Sequence, residues 1–252
     1  MKRRFALAAA VGLVLATGGI MAATPDFRFE YAQSAGIGPA DSRLEIDGDQ
    51  ATWYHEPPVA VIERGAIGVF RTAVSAAERQ ALEAGLPARS TPGLRPGMPA
   101  QTVRLKRAGQ EQVLALAPGD PAADRLKAEA RKIIERARAQ PWRALRIDLL
   151  RAQPARVRIE NLGSQPLVLA LDERSLFVES SPVSAVEWQR AGQRAWRKTV
   201  TIAPGAHEDL DLPAVIPAGR PRWLRALFQR PAADSLEDIG GTASSQHVQL
   251  AR

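Results

Sequence analysis

The sequence predicts an α+β chain in two parts: an N-terminal region of β-hairpins with two helices, followed by an all-β region. Three observations lead there. Apolar and polar residues alternate in FRFEYA (27–32) and on both sides of Asp47-Gly48, which is the period of a half-buried strand. Two segments, at 75–85 and 121–139, instead carry helix caps and helical spacing. From about residue 143 the helical period disappears, and short apolar segments follow one another between turn residues, as in strands packed in layers. The chain therefore divides into a leader (1–23), an α+β domain (24–142) and an all-β domain (143–252).

The leader reads MKRRFALAAAVGLVLATGGIMAATPDF with its first mature residues. Positive charges at Lys2, Arg3 and Arg4 precede an uncharged stretch from Phe5 to Ala23, and the polar Thr24-Pro25-Asp26 follows. That order is the one a secretory signal peptide needs, with small residues at Ala22 and Ala23 for cleavage. The expected location is the periplasm. The alternative is an uncleaved inner-membrane anchor, because the apolar stretch approaches the roughly 20 residues that span a bilayer; Gly12, Gly18 and Gly19 weaken it in that role. Loss of the leader lowers the formal net charge from +7 to +4, a mild excess that calls for no nucleic acid and leaves a weak attraction to an anionic envelope. The chain has no cysteine, which excludes a cysteine-acylated lipoprotein, a disulfide scaffold and a thiolate metal site.

In the α+β domain, FRFEYA is the first strand. SRLEIDGDQATWYHE (42–56) is a hairpin turning at Asp47-Gly48, the strongest short-range hairpin signal, and IGVFRTAV (67–74) is a further strand. Ser75 and Glu78 have the spacing of a capping box, and Gly85 suits a left-handed residue at the far end of that helix. Four prolines and two glycines make 87–100 a loop. QTVRLKRAGQEQVLALA (101–117) is a second hairpin, turning at Ala108-Gly109. The second helix starts from Asp120 as N-cap with Pro121 at its first position. Leu126, Ala130, Ile133, Ile134 and Ala137 form its apolar face. Arg125 with Glu129 and Arg131 with Glu135 stand four apart, where opposite charges support each other, so the charged face is read as solvated.

In the all-β domain, RALRIDLL, ARVRIEN, PLVLALD, SLFVE, VSAVEWQ, RAWRKTVTI, HEDLDL and SQHVQLA are the strand candidates. With IENLGSQPLVLAL as an opening hairpin and TIAPGAHEDLDLP as a later strand pair, this half resembles the immunoglobulin-like β-sandwich domains of bacterial exported proteins. The resemblance is one of pattern and implies a fold, which does not fix an activity.

Signatures of catalysis are missing: the sequence has no Gly-x-Ser-x-Gly, His-Glu-x-x-His, Ser-x-x-Lys or phosphate-loop motif. With three histidines in all, a nucleophile-plus-base site has few parts to draw on. The protein is therefore expected not to be an enzyme, with no cofactor. His207, Asp209 and Asp211 alternate along one strand, but residues two apart are about 7 Å apart and the outer pair about 14 Å, so no metal is expected. Asp47-Gly48-Asp49 is too short for a calcium loop, and Gly36-Ile37-Gly38 lacks the helix a nucleotide fingerprint needs. Trp53 and His55 share a strand face and are read as core or rim residues.

Two places hold the candidate contact residues. VEWQRAGQRAWRK is expected to be a hairpin whose turn length decides the pairing: two residues set Trp188 against Ala195, three set it against Trp196 and make an aromatic pair. RWLRALFQ (222–229) reads either as an interfacial helix or as a strand. A span of seven or eight residues between prolines 221 and 231 is too short for a free-standing helix, so it is assigned as a strand pairing with SQHVQLA, with Trp223 and Arg225 on its outer face. Trp188, Trp196, Arg222, Trp223 and Arg225 are thus the candidate partner-binding residues. The expected function is that of an exported, non-enzymatic interaction protein whose partner is a protein or an anionic envelope component, with peripheral membrane contact at most. The alternatives are inhibition of a secreted protease and, in another class, a carboxylate-dependent hydrolase acting on cell-wall material.

Overall fold

The computed structural model describes residues 27–34, 42–57, 64–86, 100–107, 110–116, 119–182, 187–215, 223–231 and 238–249. The leader, Gly36-Ile37-Gly38, Arg222 and nearly all of the loop at 87–100 lie outside the described residues. The elements are β1 (Phe27–Ser34), β2 (Ser42–Asp47), β3 (Gln50–His55), β4 (Ile67–Ala73), α1 (Ala76–Ala84), β5 (Ala100–Arg107), β6 (Gln110–Ala115), α2 (Pro121–Arg138), β7 (Pro141–Arg151), β8 (Arg156–Asn161), β9 (Leu167–Asp172), β10 (Leu176–Ser181), β11 (Gln189–Arg190), β12 (Gly192–Gln193), β13 (Arg197–Ile202), β14 (His207–Asp211), β15 (Ala214–Val215), β16 (Trp223–Arg230), β17 (Gly241–Ser244) and β18 (Val248–Gln249). The fold is α+β and mainly β.

Local chemistry explains most of the N-terminal elements. The β2–β3 hairpin pairs Asp47 with Gln50, so its turn falls on Gly48-Asp49, one residue later than the Asp-Gly signal suggests; Gly48 takes the left-handed position at φ +61°. The β5–β6 register sets Arg107 opposite Gln110; the turn expected at Ala108-Gly109 lies outside the described residues. At α1 the capping box forms in both directions: the Glu78 amide donates to Ser75 Oγ at 3.2 Å and the Ser75 amide to Glu78 Oε2 at 2.8 Å. Gly85 is not left-handed, as expected, but right-handed at φ −82°. A Cβ at Gly85 would stand 3.1 Å from the Cα of Leu126, so the glycine serves the close approach of α1 to α2 instead.

Helix α2 follows its caps, with Asp120 accepting from the Ala122 amide at 2.8 Å. It buries Ala123, Leu126, Ala130, Ile133 and Ala137. Within the helix, among the described residues, Lys127 pairs with Asp124 (3.5 Å) and Lys132 with Glu129 (2.7 Å), three apart, in place of the two pairs four apart read from the sequence; Arg136 pairs outside it, with Glu78 of α1 at 2.6 Å. Both spacings bring helix side chains together, and Lys132 takes the carboxylate that Arg125 was expected to hold.

A nine-stranded antiparallel sheet runs in the order β14-β8-β7-β4-β3-β2-β1-β5-β6. It passes straight through the expected domain boundary at residue 142, because β4 pairs with β7 through Ile67 opposite Leu145 and Gly68 opposite Ala144. Gly68 makes that junction: it sits at φ +128°, and a Cβ there would overlap the Arg143 carbonyl oxygen. Apolar packing divides more nearly as the sequence suggests. One buried cluster joins Phe29, Leu44, Trp53 and Phe70 to Leu82 and the face of α2. The other gathers Ile147, Ile159, Leu169, Val178, Leu224 and Phe228, with Ile67 contributed from β4. Two cores therefore share one sheet.

Two expected hairpins and one expected strand pair of the C-terminal half do not form. IENLGSQPLVLAL supplies β8 and β9, but β8 pairs with β7 and β14, whereas β9 pairs with β13. TIAPGAHEDLDLP likewise supplies β13 and β14, which pair with β9 and β8 and not with each other. The two connections thus form one two-stranded ribbon that bends off the large sheet. Asn161 is fully buried at the bend. Its Nδ2 donates to the Gln165 and Ile202 carbonyls at 2.8 and 2.9 Å, and its Oδ1 accepts from the Gly163 amide at 2.9 Å. VEWQRAGQRAWRK splits between sheets as well: Gln189–Arg190 joins β10, and Gly192–Gln193 joins β15. Neither predicted pairing of Trp188 therefore occurs. The strand assignment of RWLRALFQ holds: β16 lies between β10 and β17 and pairs with β18 at Leu224 opposite Val248.

Candidate functional site

Of the five residues chosen from the sequence, Trp188 and Arg225 are brought into contact. The Arg225 guanidinium lies over the Trp188 ring at 4.1 Å, and Trp188 packs at 4.7 Å against His247. Leu224, Ala226 and Phe228 do face the core, leaving Trp223, Arg225 and Leu227 on the other side of β16. That side is not open, however. Arg225 is 5% exposed, and its Nε and Nη2 donate to Glu179 Oε2 at 2.8 and 2.5 Å. The Trp188 ring covers the guanidinium, His247 packs on that ring, and Arg64 donates to the His247 ring at 3.2 Å. Burial, then the charges of Arg64 and Arg225, hold His247 below the usual histidine pKa. The expected contact surface at Arg225 is therefore a covered ion pair that joins β10 to β16 and to the C-terminal strand. Trp223 is half-buried opposite Ser181 and Gln249. Trp196 stands apart, half-buried against the C-terminal core, with its backbone amide donating to Glu173 at 3.3 Å and its indole nitrogen buried without a partner.

An open site lies elsewhere, on the inner face of the large sheet. Along that face, cross-strand register sets Val103, Tyr31, Leu44, Trp53 and Phe70 in one apolar row. One step further toward the strand ends, the same register sets Gln101, Gln33, Ser42 and His55 side by side. This polar row continues the core face past the point where α2 covers it. The helix supplies a wall of Asp124, Lys127, Ala128, Arg131, Ile134 and Glu135, which recur every three or four residues beside its buried face. Row and wall enclose a groove of about 760 Å³ that reaches down to Tyr31 and Trp53.

The floor of the groove is closely packed. Trp53 is 3% exposed, with His55 stacked on it at 4.7 Å and Phe70 tilted against it at 4.9 Å. Its indole N–H donates to Ser42 Oγ at 2.6 Å. That bond uses an acceptor lone pair of Ser42 and leaves the hydroxyl proton to be donated elsewhere. Burial raises the Tyr31 pKa above that of an ordinary phenol, with Arg131 pulling the other way. The side-chain oxygen of Gln101 is buried without a partner, a state that natural structures rarely leave unexplained. One sequence signal marks the groove, the polar residue that ends each apolar alternation; Trp53 and His55 stand on one strand face, but Gln33, Ser42 and Gln101 carry no motif.

The other candidates are accounted for by ion pairs. Asp209 is held by Arg158 through two bonds at 2.8 and 3.1 Å, and this pairing, ahead of all else, lowers its pKa. His207 and Asp211 stand at the two ends of the same strand, opposite Glu160 and Arg156. Among the described residues no group of three or more His, Cys, Asp or Glu is placed to hold a metal. On the outer face of the sheet Glu30, Glu45, Asp47 and Glu111 share a shallow pocket, each within 4 Å of an arginine: Arg104, Arg43, Arg28 and Arg104 respectively. In the groove, Asp124 and Glu135 are eleven positions apart on α2, about 16 Å along the axis, well beyond the roughly 5–9.5 Å that separates paired catalytic carboxyls. No helix among the described residues is long and apolar enough to cross a membrane. Comparison with protein-family models, with curated proteins and with solved structures finds no match.

Proposed function

We propose that this is an exported, non-enzymatic interaction protein of the cell envelope that holds its partner in the groove between α2 and the polar row of the sheet. The observation that carries the reading is the groove itself: a concave, mostly prebuilt surface with convergent polar groups over an aromatic floor, the usual form of a binding site. Export is supported by the charged, apolar and small-residue order of residues 1–23. The C-terminal half is read as a sandwich-like domain, supported by a core in which β7 and β8 of the large sheet face β10 and β16 of the smaller one.

The test is cross-linking of the protein in its own envelope fraction, followed by a salt wash. One stoichiometric partner should be recovered with the wild type and with Arg104→Gln on the outer sheet face, and should be lost with Arg131→Glu in the groove. Recovery that is indifferent to Arg131, or recovery of nothing specific, overturns the reading.

A further inference from the structure

Within the groove the hydrogen-bonding groups are not evenly matched by one another. The helix carries three cations toward it, Lys127, Arg131 and Lys132. Two of them are spent: Lys127 on Asp124 and Lys132 on Glu129. Arg131 makes no ion pair among the described residues, although Glu135 stands one turn away. Beneath it the Tyr31 hydroxyl is without a hydrogen-bond partner among the described residues, and burial keeps its proton on. Beside Tyr31, in the next row, Ser42 has a proton left to give. A guanidinium and two hydroxyl donors thus line one side of the groove, and each seeks an acceptor.

We infer that the groove takes an extended acidic peptide segment, its main chain along Gln101, Gln33, Ser42 and His55 and one carboxylate at Tyr31 and Arg131. This rests on the reading that the groove is where a partner is held. Four adjacent strands at about 4.8 Å spacing make the polar row roughly 14 Å long, which matches about four extended residues at ~3.4 Å each. Carboxamides both donate and accept, so Gln101 and Gln33 suit the alternating N–H and C=O groups of a peptide. Charge-assisted bonds from a guanidinium and hydroxyls to a carboxylate are about twice as strong as neutral ones. Asp124 is offset by Lys127, which leaves Arg131 as the cation of the helical wall open to a carboxylate. A neutral sugar is less well served, because the face of Trp53 on which a ring would stack is covered by His55.

The experiment uses the protein as recovered from cells, isotopically labelled, and two end-capped probes: pentaglutamate and pentaglutamine. Backbone amide shifts are followed in titration by NMR. Pentaglutamate should shift amides at the end of β1, the start of β5 and the middle of α2 saturably, and should bind at least tenfold more tightly than pentaglutamine. Arg131→Gln should weaken pentaglutamate about tenfold and Tyr31→Phe about threefold, with pentaglutamine unchanged and Arg104→Gln without effect. Equal binding of the two probes, shifts confined to the outer face, or no response to Arg131→Gln overturns the inference. If a partner is captured but pentaglutamate does not displace it, the acidic-peptide inference fails and the partner reading stands. If pentaglutamate binds as described and no partner is captured, the reverse holds.

Discussion

Arg225 is the residue whose environment departs most from its sequence context. Set among other arginines near a chain end, it reads as a surface cation. Pairing across strands instead puts it directly opposite Glu179, and Trp188, with His247 packed on it, covers the guanidinium. Its side chain is 6% exposed and that of Glu179 17%. Breaking such a pair by removing one partner leaves a buried charge uncompensated, at a cost of about 3–5 kcal/mol, whereas replacing both with apolar groups costs far less. We therefore expect Arg225→Met alone to lower unfolding stability by about 3 kcal/mol in urea denaturation. Arg225→Met combined with Glu179→Leu should recover at least half of that. A double variant as unstable as the sum of the two single ones would show the pair to be uncoupled.

At the scale of elements, the C-terminal strand depends on the same cluster. β18 consists of two residues and follows His247 directly, so its attachment to β16 relies on that ring being packed between Trp188 and Arg64. The charged groups around the ring are Arg64 ahead of β4, Arg225 on β16 and, through Arg225, Glu179 on β10. Protonation would add a third positive charge to a cluster with one carboxylate. Because the folded pKa is depressed, the stabilisation is complete above the usual histidine value near 6.5 and is lost as the pH falls through that value toward the folded one. Amide exchange at Leu224 and Val248 should accelerate as the pH drops below about 6.5, beyond the intrinsic pH dependence of exchange. His247→Gln should remove this excess acceleration. Acceleration that is unchanged in His247→Gln assigns the effect to another group.

Across the whole molecule the sheet, not the chain order, defines the folding unit. Residues 24–142 and 143–252 were legible as two parts because the helical period stops at the boundary, and their apolar cores do separate near it. Hydrogen bonding crosses it: β4 pairs with β7, the Gly240 amide donates to Glu56 Oε1 at 3.1 Å, and the Thr242 amide donates to the Pro57 carbonyl at 2.7 Å. A fragment of residues 143–252 would present β7 as an unpaired edge and lack Ile67 from its core, both hazards for an isolated β fold. We expect that fragment to be aggregated or without cooperative unfolding by calorimetry and ultracentrifugation. The protein containing both parts should unfold in one transition. A monomeric fragment with its own sharp transition would instead support two independent domains.

What the sequence by itself determined are the features whose causes are local. The capping box at Ser75 and Glu78, the Asp120 and Pro121 start of α2, its buried face, the pairing of β5 with β6, and the strand character of 223–230 all follow from side chains within one turn or one hairpin of each other. Tertiary structure decided which strands pair, because an alternating segment fits any neighbour that offers it an apolar face. Hence β8 and β9 part company at Asn161, Trp188 meets His247 instead of Trp196, and Arg225 is buried. Tertiary structure also assembled the groove. Gln33, Ser42, His55 and Gln101 come from four strands and Arg131 from a helix, and no local pattern connects them. Register in the sheet does.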